Sequence, residues 1–340
     1  MLDKHLIRFA TLEDVDAIMT FINENWKEGH LLATNKSFFL YEYQCGERIN
    51  FALAIDVTNN KIVGLCGFIK NTEAYQNSCI WGSIWKVIKT DDPMLGIKIL
   101  EYLHTQSDCK IFSSCGIAPK TIPIYQFLRF KTGKLNHYYR LNDKESYNIA
   151  KIVSKEIPEF VENIKVSFKE FNTFSDLQAH FDISSFSEAL PYKDAWYLEK
   201  RYFNHPVYQY KIFGIDENLG QLNSILITRE VAYNGVKVLR IVDFIGDYTQ
   251  LAGIGYAIQQ VMKKNDYEYV DLYAGGLQLD VIEQAGFQLK TDADLNCIPN
   301  YFEPFVQENT AIHYFTTSEQ DFLIFKGDGD QDRPNFIPQS

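Results

Sequence analysis

The sequence predicts a mixed α/β protein of two tandem halves, each a mostly antiparallel mixed sheet flanked by helices. Three observations carry this. Strand-like and helix-like segments do not strictly alternate, as they would in a doubly wound parallel sheet. The same order of segments occurs twice. At the same place in each half, a strand leads through a loop to a helix that opens on glycine, Gly96 in one and Gly253 in the other. A chain of 340 residues suits two domains at about 150 residues each.

The first half begins with a strand at 6–10. Thr11-Leu-Glu-Asp14 has the Thr-x-x-Asp form of a capping box. It opens an amphipathic helix, with Val15, Ile18, Met19 and Ile22 at helical spacing. Strands at 51–56 and 61–70 flank Asn59-Asn60 and read as a hairpin. A strand at 82–89 passes through Thr90-Asp-Asp-Pro-Met-Leu95 to a helix at about 96–105. A strand at 110–115, a helix at 121–128 and a closing strand at 134–141 follow. The second half has strands at 210–215, 222–228 and 236–246, a helix at 253–264 and a strand at 267–273. A short helix at 277–284 ends at Ala285-Gly286-Phe287, and a last strand falls at 321–326. The expected divisions are a first domain at 1–145, a connecting segment at 146–165, a second domain at 166–326 and a polar tail at 327–340.

A net charge of −11 argues against non-specific binding to nucleic acid or an anionic membrane, which depends on basic surface. A small anionic ligand held by local N–H groups is still open to it. The aromatic content of 15 % suits cores and also sites for sugars and nucleobases. The six cysteines form no C-x-x-C pair and several lie in apolar runs, which reads as free thiols in a reducing cytosol. Met1 to His5 lacks the apolar core of a signal peptide, and no apolar run reaches the ~18 residues that span a bilayer. The expected location is cytoplasmic.

The stretch from Gln250 to Gly255 reads Gln-x-x-Gly-x-Gly between a strand and a helix. Glycines allow close backbone approach to a ligand. A helix N-terminus adds unpaired N–H groups and a partial positive charge, which together suit phosphate or pyrophosphate. A Walker loop is excluded, because Tyr256 follows Gly255 where lysine is needed. A dinucleotide fingerprint lacks its third glycine, since Ile258 stands there. An ordinary tight turn with packing glycines is the remaining plain alternative.

The same stretch matches, position for position, the acyl-CoA loop of the GNAT N-acetyltransferase superfamily, and the repeated plan resembles a tandem member of it. The first-half counterpart, Pro93-Met-Leu-Gly96-Ile-Lys98, keeps one glycine. A second family motif, Tyr-x-x-x-Gly-Phe, is divided: Tyr125 keeps the tyrosine of one copy, and Gly286-Phe287 keeps the glycine of the other. The resemblance implies acyl-CoA as co-substrate and no metal. Its expected contacts are Phe244, Ile245, Gly246, Gln250, Leu251, Ala252, Gly253, Ile254, Gly255 and Tyr256. Leu95, Gly96, Ile97 and Lys98 form the alternative site.

The chain is also similar to tandem acyltransferases that modify nucleotide-linked amino sugars in bacterial surface-polysaccharide pathways. The residues behind this lie at 26–33, 132–140, 201–208 and 327–335. The implied acceptor contacts are Trp26, Tyr138, Arg201, Tyr208 and Arg333. Family members move the acyl group directly to an amine, which must lose a proton, and a strand N–H stabilises the oxyanion. Candidates for the chemistry are Asp243, His30, His137 and Tyr125. Simple alternation puts Asp243 on the face of Ile241 and Ile245, where pairing with a basic neighbour is the plain alternative. Each histidine has a structural reading beside its catalytic one. The aspartates at 328, 330 and 332 resemble a calcium loop only superficially, as the glycine is misplaced and no glutamate follows. Two other functions stay in view: an aminoacyl-tRNA-dependent transferase, which the acidic charge disfavours, and a silent binding module.

Overall fold

The computed structural model describes residues 4–76, 78–161, 166–216 and 222–337. It has the expected fold class, mixed α/β with two mostly antiparallel sheets flanked by helices. The chain forms two compact units. One comprises Met1–Thr132, Tyr314–Glu319 and Gly329–Ser340, the other Gly133–His313 and Gln320–Asp328.

In the first unit the strands run His5–Thr11, Arg48–Asp56, Lys61–Lys70, Cys79–Val87, Ile111–Ile117, His313–Thr316 and Lys131–Lys134 across the sheet. The first four pair antiparallel, and Cys79–Val87 pairs parallel with Ile111–Ile117. The Thr11 capping box forms, with the Thr11 N–H donating to Asp14. The hairpin turn places Asn60 at φ 55°, a left-handed conformation that asparagine tolerates. Helix Leu95–Gln106 buries Leu95, Ile99, Leu100 and Leu103 on one stripe, as a 3.6-residue period requires. They pack on Ala52, Cys66, Phe68, Ile80 and Phe112.

In the second unit the order is Gln288–Leu289, Asn136–Leu141, Tyr269–Gly275, Val236–Gly246, Ser224–Tyr233, Tyr210–Asp216 and Ser167–Phe171. Only Val236–Gly246 against Tyr269–Gly275 is parallel among the pairings described. Helix Gly255–Asn265 sets Ile258 and Met262 on Leu239, Ile241 and Leu272. The other face of the sheet carries Val242, Ile245, Ile225 and Ile227 against Tyr197, Leu198 and Tyr202.

Three expectations change. The closing strand expected at 134–141 breaks at Leu135, and Asn136–Leu141 hydrogen-bonds in the second sheet, against Tyr269–Gly275. In its place the first sheet takes His313–Thr316, tied by Thr317 N–H to the Phe112 carbonyl at 2.9 Å and by the Ser113 and Thr316 hydroxyls at 2.8 Å. The expected connector is partly fixed within the second unit. There the Glu268 carboxylate accepts N–H groups of Asn148, Ile149 and Ala150, while residues 162–165 lie outside the described ones. The polar tail is partly packed: Asp328 and Asp332 are buried, while Phe336 and Ile337 are exposed. No helix among the described residues is long and apolar enough to cross a membrane.

Candidate active site

Each unit carries the same irregularity in the strand that precedes its glycine-opened helix. In the first, Cys66 pairs with Trp85 and Phe68 with Gly82, so Ser83 and Ile84 together oppose Gly67. In the second, Ile227 pairs with Asp243 and Thr228 with Ile241, leaving Val242 as the extra residue. Parallel pairing to the next strand stops just before each bulge, at Trp81 with Ser113 and at Ile241 with Leu272. A bulge re-aims backbone groups and ends pairing, so both units hold a strand gap bordered by backbone groups released from the regular ladder.

The bulge also corrects the alternation read for Asp243. Ile241 and Ile245 lie in opposite core clusters, because the extra residue reverses the side on which later residues fall. Asp243 belongs to a fully buried ion cluster. Its carboxylate pairs with Lys193, accepts the Tyr202 hydroxyl and accepts the Phe244 N–H at 2.8 Å. Lys193 also pairs with Asp328 at 2.9 Å. Burial opposes the Lys193 charge, yet Asp243 and Asp328 override it and raise the ammonium pKa. Burial pushes the Asp328 carboxyl up to about 6, with Lys193 lowering and Asp243 raising it. Both carboxylate oxygens of Asp243 are therefore engaged, and the Phe244 N–H is spent on one of them. The adjoining cleft, lined by Lys193, Phe244, Ile245 and Gly246, measures only about 40 Å3, room for a few waters.

The loop Tyr248–Gly253 is a 3₁₀ turn whose Gln250, Leu251, Ala252 and Gly253 are buried. Leu251, Ala252 and Ile254 join the core, the Ser224 hydroxyl bonds the Gln250 side chain, and Asp247 accepts the Thr249 N–H. A Cβ on Gly255 would lie 2.4 Å from Phe160 Cβ and 2.8 Å from the Ala285 carbonyl. Tyr256 is exposed. Gly255 thus has a packing reason of its own.

His137 is buried, stacks on Tyr273 at 3.9 Å and bonds Asp271 at 3.0 Å. Arg240 grips the same carboxylate through two nitrogens at 2.9 and 2.7 Å. Burial opposes the Asp271 charge, but Arg240 and His137 hold its pKa well below the usual range, and burial lowers that of His137. Tyr138 lies in the second-unit core with its hydroxyl on Asn136. Arg201 is buried. Tyr208 bonds Glu303, stacks with His205 and lies under Arg229 at 3.8 Å. Tyr125 is buried against Phe315 at 4.2 Å, and burial raises its pKa.

Three expected site residues do meet in the first unit. Trp26 and His30 lie edge to face at 4.7 Å. The Arg333 guanidinium donates to the Tyr43 hydroxyl at 3.3 Å and pairs with Asp330 at 3.3 Å. Tyr43 in turn donates to Ser83, within the bulge, at 3.0 Å. His30 caps a short helix, its Nδ1 accepting the Leu32 N–H at 3.2 Å. Burial, then Arg333 and Lys27, push His30 down to about 3. A neutral imidazole with an occupied Nδ1 carries its proton on Nε2, so it offers a donor rather than a base. An NMR titration should find His30 neutral down to about pH 4 with the Nε2–H tautomer; a midpoint near 6.5 would refute this.

The first-unit loop has its own signature. Asp92 accepts the Met94 N–H at 3.0 Å and pairs with Lys98 at 2.7 Å, while Asp91 pairs with Lys4. The aspartates are thus neutralised by two exposed lysines. Lys193, Tyr43 and Ser83 were not legible as site residues, since none lies in a motif, and Tyr202 lies in the 201–208 stretch with nothing there to single it out; Tyr43 and Ser83 are 40 positions apart.

No family model matches the chain, and no curated protein matches it significantly. Solved structures do. A GCN5-related N-acetyltransferase from Anabaena variabilis superposes with a TM-score of 0.58 at 8 % identity, over 92 % of this chain and 72 % of its own. A candidate N-acyltransferase from Enterococcus faecalis gives 0.53 at 8 %, over 84 % and 70 %. A candidate acetyltransferase from Pyrococcus horikoshii gives 0.50 at 12 %, over 94 % and 92 %. The two-sheet fold of this chain is therefore similar to that of GNAT-type acetyltransferases.

Proposed function

We propose that the protein is an acyl-CoA-dependent N-acyltransferase, that its first unit holds the acyl donor, and that the acceptor is the amine of a nucleotide-linked amino sugar. The observation that carries this reading is the bulge-and-gap frame before the helix in each unit. A bulge at that place frees backbone N–H groups to meet the oxyanion of a tetrahedral intermediate. The first unit is favoured because residues 324–328 bond both edges of the second-unit gap through their backbone. Lys98 and Lys4 neutralise Asp92 and Asp91 beside the adjoining helix N-terminus, so neither aspartate bars an anion there. The Gln250–Gly255 motif supports the second unit as the rival placement, against which its burial weighs.

On the acceptor side, Arg333, held by Tyr43 and Asp330, supplies a fixed cation for a phosphate, and the His30 Nε2–H supplies an orienting hydrogen bond. The amine attacks the thioester carbonyl, the carbon–sulfur bond breaks, and the amine proton passes to water or to the departing thiolate. The test has two steps. Calorimetric titration with acetyl-CoA and a longer acyl-CoA should show binding. Mass spectrometry should then find an acylated product, heavier by the acyl group, within a panel of nucleotide-linked amino sugars. Failure of every acyl-CoA to bind would leave the silent-module reading in its place.

A further inference from the structure

The gap in the second unit is occupied by the chain itself. Past Ile241 and Leu272 the two parallel strands separate, and residues 324–328 run between them. Ile324 pairs with Gly275 and Phe325 with Ala274, antiparallel. The Lys326 N–H donates to the Tyr273 carbonyl at 3.2 Å on one side, and the Gly327 N–H to the Val242 carbonyl at 2.6 Å on the other. The segment thus bonds both edges through its backbone, as an added strand does. Ile324 and Phe325 are buried. Position 327 admits no side chain, since a Cβ would lie 2.7 Å from the Val242 carbonyl and 2.8 Å from the Tyr202 hydroxyl. Beyond it the Asp328 carboxylate takes the Phe325 N–H at 2.8 Å and pairs with Lys193.

The segment that follows belongs to the first unit. Gly329 lies against Trp81, with 3.3 Å from a built Cβ to that of the tryptophan, and Gln331 packs at Gly116. Arg333 reaches Tyr43. We propose that the second-unit gap is a strand-binding site whose resident ligand is the chain's own segment 324–328, so that this unit takes no acyl donor and instead anchors the tail that presents Arg333. The proposal rests on the acyltransferase reading only for the ligand it excludes; the strand site itself stands on geometry.

Hydrogen exchange on the full chain tests it without any ligand. The Lys326 and Gly327 amides should exchange as slowly as those of helix Gly255–Asn265. Gly327→Val should speed exchange across 324–328 by about 100-fold or more while that helix keeps its protection. A labelled synthetic peptide of sequence 321–328 should then bind the Gly327→Val protein, and the same peptide carrying valine at 327 should not. Exchange of the wild-type segment at loop rates would overturn the proposal even if the variant failed to fold. So would unchanged protection in a folded Gly327→Val protein, or equal binding of both peptides. Loss of acyl-CoA binding in the wild type would sink the acyltransferase reading and leave this one standing.

Discussion

Replacing Lys193 with methionine is expected to destabilise the second unit by about 3–5 kcal/mol. Lys193, Asp243 and Asp328 are all excluded from solvent, and the ammonium pairs with both carboxylates. Removing it leaves two buried acids facing each other, with only the Tyr202 hydroxyl and the Phe244 and Phe325 N–H groups as donors. The deficit should depend on pH. The Asp328 pKa is raised to about 6, so its contribution to stability is full below its ordinary value near 4. That contribution falls as pH rises through about 6, because the folded state holds more protons than the unfolded one. Without Lys193 the carboxyl rises further, and the methionine variant should lose less stability at pH 5 than at pH 7. Urea unfolding at both values checks this. A deficit below ~1 kcal/mol at pH 7 would mean that the cluster is hydrated or rearranges.

The second large effect concerns the acyl donor. Gly96→Asp is expected to weaken acyl-CoA binding at least tenfold while leaving thermal stability almost unchanged. An aspartate in the first turn of a helix suits its dipole by about 0.3–1 kcal/mol. The new Cβ meets the edge of the Trp85 ring at 3.1 Å and Val87 Cγ2 at 3.5 Å, both side chains rather than backbone. A pyrophosphate at the same N-terminus would face an added negative charge beside Asp92. The matching change Gly255→Asp is not a clean comparison, because its Cβ collides with Phe160 and the Ala285 carbonyl. Lost binding there would accompany unfolding. Calorimetry together with thermal melting separates the two cases. Full affinity in Gly96→Asp would move the donor site to the second unit.

Much of the architecture was legible because it follows from local pattern. The capping box at Thr11, the Asn59-Asn60 turn and the stripe of helix Leu95–Gln106 are each written within a dozen residues. Strand exchange is not, because Asn136–Leu141 reads as a good strand wherever it pairs, and edge partners are chosen by distant sequence. The site was legible only in part. The Gln250–Gly255 motif marks a strand-to-helix turn, but whether its glycines serve a ligand or Phe160 depends on a segment about 95 positions earlier. A one-residue bulge leaves no signature in a run as apolar as Ile241-Val-Asp-Phe-Ile245, so alternation grouped Asp243 with Ile241 as well as with Ile245, although those two lie in opposite clusters. Arg333 and His30 drew notice separately, and nothing in sequence links positions about 300 apart.

The placement of His313–Thr316 in the first sheet and Asn136–Leu141 in the second bears on how the molecule is made. Severing the polypeptide at the junction near residue 150 would yield two fragments, each short of a strand that the other carries. Neither half is an autonomous folding module, for all the internal repetition. The first sheet joins Phe112 to Thr317, 205 positions apart, and closing so long a loop adds entropic cost and slows assembly. During synthesis the first half must therefore wait, one sheet position unfilled, until the distant segment emerges. Co-expressed complementary fragments should reconstitute where either alone aggregates.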